Sequence, residues 1–314
     1  MNCIKLFFSV LALVWYATPL AAQDLDPRAY SRVPVNLNFV ITGFTFSDGE
    51  VVTDPTLPVQ NIKASIFTPS VGFAHTFSMF KLTSQALVAV PYSWAKVSGE
   101  VGGQAKSVEL NGFNDMRLRL SVLLLGAPAA TQAELMKAAR KTILGMSLNM
   151  VVPAGKYNSA KLINLGTNRF SFKPEVALSH PFLEHMLLDV YAGVWLFTDN
   201  NSFYPGSSVR SQEPMWTFQG HLSYNIRPQM WVAFDATFYT GGATAIDDIY
   251  NDDRQESSRI GATAVLPVGK RSAFKFSYST GAIVRIGQKF DSYSIGWQTS
   301  WIRKSTKEKA TNSN

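Results

Sequence analysis

The sequence predicts an all-β fold: a closed antiparallel transmembrane β-barrel of about 12 strands, the even count expected of a single-chain bacterial barrel. Three observations lead there. Successive side chains of a strand point to opposite faces, and strand after strand places apolar residues at even positions and polar or charged ones at odd positions. An N-terminal stretch has the form of a secretory signal. No later run of about 18 apolar residues remains to serve as a transmembrane helix. The hydrophobic fraction of 46% and mean hydropathy of +0.02 are too apolar for disorder and too polar for a helical membrane protein.

Residues 170–179 show the pattern most plainly. Phe170, Phe172, Pro174, Val176 and Leu178 share one face; Ser171, Lys173, Glu175, Ala177 and Ser179 share the other. A soluble sheet buries its greasy face in a core. A barrel in lipid turns that face outward and keeps a wet interior.

The chain divides as follows. Residues 1–22 are expected to be a cleaved signal peptide: Lys5, an apolar stretch from Leu6 to Leu20, and a small-residue exit at Ala21 and Ala22. Residues 23–34 are a polar entry segment, 35–302 the barrel, and 303–314 a polar tail. Cys3 is the sole cysteine and precedes the apolar stretch, so no disulfide or thiolate metal site is expected after cleavage. Without Lys5, the 29 basic groups fall to 28 against 22 acidic, a net +6. These charges are dispersed except in the tail RKSTKEK, a solvated terminus; nucleic acid is not an expected partner.

In the first strand (35–46), Val35, Leu37, Phe39 and Ile41 alternate with Asn36 and Asn38, and Gly43 suggests a bulge. SDGEVVTDPTLPVQ reads as a loop. Strands two (62–77) and three (82–92) alternate most weakly, and SWAKVSGEVGGQAKSVELNG reads as another loop. Strand four (113–125) sets Met116, Leu118, Leu120, Val122 and Leu124 against Asp115, Arg117, Arg119 and Ser121. Three charges on the second face suit a lumen wall, not a soluble core. Thr131 and Glu134 then form a capping-box pattern, predicting a short periplasmic helix near 131–140, on the rim or partly in the lumen.

Strand five carries Leu144, Met146, Leu148, Met150 and Val152 outward, and its methionines read as plain apolar surface. Strand six is 170–179, where Pro174 predicts a local bulge because proline cannot donate to a ladder. Strand seven turns Asp189, Tyr191 and Trp195 inward, strand eight Gln219, His221 and Ser223, and strand nine Trp231, Asp235, Thr237 and Tyr239. Strand ten adds Arg259, strand eleven Lys275, and strand twelve places Tyr293, Ile295, Trp297, Thr299 and Trp301 outward. Long and short connections alternate. NSFYPGSSVRSQEP, GGATAIDDIYNDDRQESS and AIVRIGQKFD read as loops. Trp216, Tyr224, Tyr278, Tyr293 and Trp301 are expected near strand ends, as aromatic girdles at the interfaces.

The segments DPRAYSRVPVNLNF, NLGTNRFSFKPE, FTDN, QEPMWTFQGHLSY, FYTGGAT, SRIGATAVLPV and IGWQTSW, in this order, resemble the MetA-pathway of phenol degradation family of outer-membrane proteins. The resemblance spans nearly the whole mature chain. It implies an outer-membrane barrel that takes up small, including aromatic, compounds. Phe170-Ser171 departs from an expected Trp-Ala, and PAGKYN from a PTGQYD-like segment, both near an external loop. The family's functional residues are poorly defined, so the resemblance carries over no catalytic role.

The expected pore-lining residues are Asp115, Arg117, Arg119, Lys173, Glu175, Asp189, Tyr191, Trp195, His221, Trp231, Asp235, Tyr239, Arg259 and Lys275. Opposite charges in a narrow lumen are expected to pair, Arg117 or Arg119 with an acid and Lys173 with Glu175 or Asp189, because an unpaired charge near low-dielectric walls loses solvation. The inward aromatics either stack on flat solutes or simply fill a narrow lumen. His180 and His185 are badly spaced for a shared metal, and no serine-centred motif accompanies His221. The acids Asp247, Asp248, Asp252, Asp253 and Glu256 read as a solvated loop mouth, with Ca²⁺ the alternative. No cofactor, metal or enzymatic activity is expected. The expected partners are outer-membrane lipid, lipopolysaccharide and a small-molecule solute. Passive transport is the leading reading; a phospholipase or lipid A deacylase type of enzyme and a closed structural barrel are the alternatives.

Overall fold

The computed structural model describes residues 25–52, 59–101, 104–285 and 287–302. The expected signal peptide and polar tail lie outside the described residues. The wall begins with β1 (Leu37–Val52), β2 (Val59–Met79), β3 (Leu82–Val101), β4 (Gln104–Phe113) and β5 (Met116–Leu125). Helix α1 (Gln132–Lys137) follows, then β6 (Ile143–Val152), β7 (Ser171–Phe182) and β8 (Met186–Phe197). After β9 (Asn200–Phe203) and β10 (Ser208–Gln212) come β11 (Met215–Arg227) and β12 (Met230–Gly241). The remainder is β13 (Thr244–Ile246), β14 (Ile249–Tyr250), β15 (Gln255–Val268), β16 (Ser272–Val284) and β17 (Gly287–Ile302).

Each wall strand pairs antiparallel with its sequence neighbour in the wall, and β1 pairs with β17 from Leu37↔Ile302 to Val52↔Gly287. β4 and β5 share one position beside β3, so the thirteen strands of the main sheet make a twelve-position closed barrel. Closure matters because hydrocarbon offers no partner to an open edge. β9, β10, β13 and β14 form a separate four-stranded sheet from the connections at the barrel end opposite the termini.

Several predicted loops are strand. β1 runs on to Val52 and β2 starts at Val59, where turn-forming residues suggested a loop. β3 and β4 pair from Tyr92↔Phe113 to Val101↔Gln104. β4 is exposed on both faces over most of its length, so this hairpin stands in water and has no core to enforce alternation. AIVRIGQKFD is largely the end of β16 and the start of β17. The loops after β8 and β12 hold the small second sheet. Tyr278 and Tyr293 therefore fall in mid-strand, 4.8 Å apart, and not in a girdle at a strand end.

The predicted bulges at Gly43 and Pro174 are absent. The register on both sides of Gly43 is unbroken. Across Pro174 it is unbroken towards β6, and towards β8 the pairing lapses at Lys173 and Pro174 and resumes in the same register. A gap of two residues, without an extra residue, accommodates the missing donor.

Facing follows parity. From β5 to β16 the even residues point out: Leu120, Leu148, Val176, Val190, Phe218 and Phe234 are all exposed. Their odd neighbours are mostly buried. β1 corrects one reading. Residues directly opposite share a face, and Phe39 and Ile41 oppose the buried Ala74 and Gly72. They point inward, while Phe44 and Phe46 are exposed outward. The short alternation of Val35 to Ile41 suggested the reverse. Outside, Phe44 stacks on Phe67 at 6.0 Å and Phe67 on Trp94 at 5.9 Å, an aromatic ladder across β1, β2 and β3.

Helix α1 has the capping box its sequence announces. Thr131 N donates to Glu134 Oε2 at 2.6 Å and Glu134 N to Thr131 Oγ1 at 3.4 Å. The backbone donor at Thr131, then its hydroxyl, holds the Glu134 carboxyl below its ordinary pKa. None of the six helical residues is buried, so α1 rests on the rim.

Parity is testable in purified barrels in lipid nanodiscs. Cysteines replacing Phe39 or Arg117 are expected to react with a membrane-impermeant thiol reagent, and cysteines replacing Phe44 or Leu148 to be protected. The opposite pattern would put the register out by one residue. Leu120→Arg, on the lipid face, is expected to destabilise the barrel by about 2–4 kcal/mol in a reversible unfolding titration; a change near zero would contradict the assignment.

Candidate functional site in the barrel lumen

The lumen is not empty. Residues 25–36 enter it from the barrel end that carries both termini, and the side chains of Asp26, Arg28 and Tyr30 bind strands from β5 round to β16. Asp26 accepts from Lys275 Nζ on β16 at 2.7 Å and lies 3.5 Å from Arg119 Nη1 on β5, nearly opposite. Burial alone would raise the Asp26 pKa, but the charges of Lys275 and Arg119 outweigh it and hold the carboxyl below its ordinary value. The backbone N–H of Arg28 donates to Asp189 on β8 at 3.2 Å. Its guanidinium donates to Asn225 on β11 at 2.8 Å and lies 4.5 Å from the centre of the Trp231 ring on β12.

Tyr30 is the most embedded of these residues, 1% exposed. Its hydroxyl lies 2.7 Å from Ser147 Oγ and donates to Glu175 Oε1 at 2.9 Å. The ring meets Tyr191 edge-on at 5.0 Å, with the Arg119 guanidinium 4.7 Å from its centre. Small wall residues make the fit possible. A Cβ on Gly145 would stand 2.5 Å from the Tyr30 ring, and one on Gly261 2.9 Å from Leu25.

Glu175 is the hub. Besides Tyr30, its carboxylate takes Lys173 Nζ at 2.9 Å, Gln219 Nε2 at 3.2 Å and the more distant Arg119 Nη2 at 3.9 Å. Lys173 also sits 5.4 Å from the Trp195 ring centre. A buried carboxylate with this many donors is one of the few forms in which such a charge is tolerated. Next to it, His221 Nδ1 lies 2.7 Å from Asp235 Oδ1, and Thr263 Oγ1 donates to Asp235 Oδ2 at 2.7 Å. His221 is 1% exposed and packed against Tyr191, so this pair is built into the wall and does not face open solvent.

The expected pore-lining residues thus divide. Arg119, Lys173, Glu175, Asp189, Tyr191, Trp231 and Lys275 hold or touch the N-terminal segment or its hub. Trp195 covers Lys173, and His221 and Asp235 form the adjoining pair. Tyr239 is buried at inward parity. Arg117 stays exposed at inward parity. Arg259 is buried and donates through Nη2 to Ser279 at 3.0 Å, to the Phe290 carbonyl at 2.9 Å and to Ser292 at 2.9 Å, pinning β15 to β16 and β17. Asp115 lies between β4 and β5 and accepts from Gly155 N at 3.0 Å, Thr167 N at 2.8 Å and Thr167 Oγ1 at 2.5 Å, so it ties down the 153–170 loop. Tyr191 is 2% exposed and filled against Tyr30, which leaves it no face for a flat solute.

The opposite wall differs. Phe39, Ile41, Ile66 and Leu87 point inward from β1, β2 and β3, all partly exposed, beside the small residues Gly72, Ala74 and Ala89. Among the described residues no hydrogen bond from residues 25–33 reaches this wall. It forms an apolar lane, with Arg117 opposite Ala89 at its margin.

The acidic loop is dispersed by its partners. Asp247 accepts from Val209 N at 2.7 Å, Asp252 pairs with Arg285 at 3.0 Å, and Asp253 accepts from Thr244 N at 2.7 Å. Among the described residues no cluster of His, Cys, Asp or Glu has metal-site geometry. Asp26, Arg28 and Tyr30 are the lumen-binding residues that sequence reasoning missed. Their signal was weak: DPRAY carries two charges and a tyrosine in a segment with no periodicity.

A crystallised outer membrane channel from Pseudomonas putida F1 superposes with a TM-score of 0.76 at 20% identity, over 88% of this chain and all of that one. The β domain of the Bordetella autotransporter BrkA gives 0.52 at 11%, over 85% of this chain and 100% of that one. The transport unit of the autotransporter AIDA-I from Escherichia coli gives 0.51 at 11%, over 96% and 98%. These likenesses establish the outer-membrane barrel fold. No curated protein matches the chain. The model of the MetA-pathway of phenol degradation family matches residues 44–309, nearly the whole barrel, and the chain belongs to that family.

Proposed function

We propose that this barrel resides in the bacterial outer membrane after signal-peptide cleavage and passes small solutes, aromatic ones among them, by passive diffusion. The observation that carries the reading is the two-sided lumen. One wall is a charge network occupied by residues 25–30; the other is an apolar lane that, among the described residues, no hydrogen bond from residues 25–33 reaches. A flat, weakly polar solute loses little hydration against Phe39, Ile41, Ile66 and Leu87, and Arg117 at the margin accommodates a polar substituent. The family membership and the channel-like fold support the same reading. Lipid and lipopolysaccharide surround the outer face in this view, and charges of both signs inside make strong ion selectivity unnecessary.

The N-terminal segment sets the width of the path. Tyr30→Ala combined with Asp26→Ala removes the two Tyr30 hydrogen bonds of about 1 kcal/mol each, an aromatic contact of about 0.5–1.5 kcal/mol and the two ion pairs of Asp26. Planar-bilayer recordings are expected to show larger single-channel conductance for the double variant than for the parent. Liposomes carrying the parent protein are expected to take up phenol faster than empty ones. Parent and variant that both fail to conduct or take up solute would favour a closed structural barrel.

Arg117→Ala with Arg119→Ala removes positive charge beside the path. The reversal potential under a salt gradient is expected to move toward cation selectivity. An unchanged potential in a conducting variant would place the constriction elsewhere.

A further inference from the structure

A cavity opens at the barrel end that carries both termini, with a volume of about 510 Å³, within the roughly 300–1,000 Å³ of small-molecule sites. Its position is luminal. Ser179, Leu187 and Asn225 line it at the same odd parity as the buried Asp189 and Ser223, so bilayer headgroups do not reach it from the lipid side.

The charge is one-sided. Arg28, Arg32, Arg140, Lys141 and Arg227 all line the cavity, and Glu184 is its carboxylate. Arg140 gives Nη1 to the Glu184 backbone carbonyl at 2.7 Å, and Arg227 gives Nε to the Met230 sulfur at 3.2 Å. Among the described residues no carboxylate forms an ion pair with Arg32, Arg140, Lys141 or Arg227. Arg28 Nε and Nη2 are buried and have no hydrogen-bond partner among the described residues. Burial, with the like charge of Arg140 adding to it, lowers the Arg28 pKa to about 10, still cationic at neutral pH. Several cations held around one concavity repel each other, and a bound anion relieves that repulsion.

The rest of the lining selects the kind of anion. Ile143, Pro181, Leu187 and Pro228 contribute apolar surface, and Trp231 backs Arg28. We propose that this vestibule binds small organic anions, a carboxylate carried on an apolar body, with the guanidinium groups taking the carboxylate and the apolar residues taking the body. Binding here stands apart from passage. The further consequence, that aromatic acids are concentrated at this mouth, rests on the proposed transport function.

Isothermal titration of the full-length mature barrel in detergent tests the site without requiring flux. Benzoate is the probe, with benzyl alcohol as its neutral counterpart and inorganic phosphate as the anion lacking an apolar body. Benzoate is expected to bind at least about tenfold more tightly than either, since hydrogen bonds to charged groups exceed neutral ones by this order. Arg32→Ser with Arg140→Ser is expected to weaken benzoate about tenfold or more, and raising salt from about 0.05 to 0.5 M to weaken it severalfold as the screening length shrinks. Arg140→Lys is expected to retain most of the affinity. Both positions lie outside the strands, and heat-modifiable migration confirms that each variant is folded. Absence of benzoate binding, equal binding of benzyl alcohol, preference for phosphate, or benzoate binding insensitive to the double variant would each overturn the proposal, whatever the flux measurements give.

Discussion

The interior of this barrel converges on Glu175. Its carboxylate is almost wholly removed from solvent, and taking such a charge out of water costs several kcal/mol unless donors replace the lost hydration. The replacements come from three strands and from the N-terminal segment: Lys173 beside it on β7, Gln219 from β11, the more distant Arg119 from β5, and Tyr30. β6 joins through Ser147, which shares the Tyr30 hydroxyl. Removing any donor leaves the others to solvate the same charge, so the lumen side chains behave as one unit. This explains why a segment without secondary structure has a defined course. It is held by a charge that would otherwise be short of partners.

Closure imposes the outer half of the design. Every backbone group in the hydrocarbon layer must bond within the protein, so β1 and β17 meet in a register that extends well beyond what a bilayer needs. The excess length of β1, β2, β3 and β17 carries the hairpins into water, where β4 loses its alternation and is exposed on both faces. The same extension moves Tyr278 and Tyr293 from strand ends to mid-strand. Membrane thickness limits where alternation is enforced, not where pairing stops.

This distinction decides what was legible in the sequence. Where lipid and lumen both press on a strand, parity was readable: the even-out pattern from β5 to β16 matches the observed faces. Lys173 and Glu175, two apart on one strand, were brought together by that parity alone. Where one side is water, turn-forming residues such as those in SDGEVV and SGEVGG outweighed the pairing, and strands were read as loops. In β1 a run of four apolar odd positions suggested the outer face, yet Phe39 and Ile41 line the lumen. An apolar lumen wall breaks the rule that polar means inward. Asp26 and Tyr30 lay beyond reach for another reason: they act through tertiary contacts made by a chain with no period, and nothing local marks a tyrosine as the partner of a carboxylate 145 residues away.

The arrangement of charge along the barrel follows from the same economy of solvation. In the middle, where walls are close, each carboxylate has its donors: Glu175 its hub, Asp235 the hydroxyl of Thr263 and the ring of His221, Asp189 the backbone of Arg28. At the mouth that carries the termini the walls give way to turns and water returns. There an excess of cations is tolerable, because solvent and salt screen their repulsion. Arg28 spans the two regimes, its backbone bound to the inner carboxylate and its guanidinium reaching towards the vestibule. The residue that anchors the N-terminal segment is therefore also the one that carries positive potential from the mouth toward the interior.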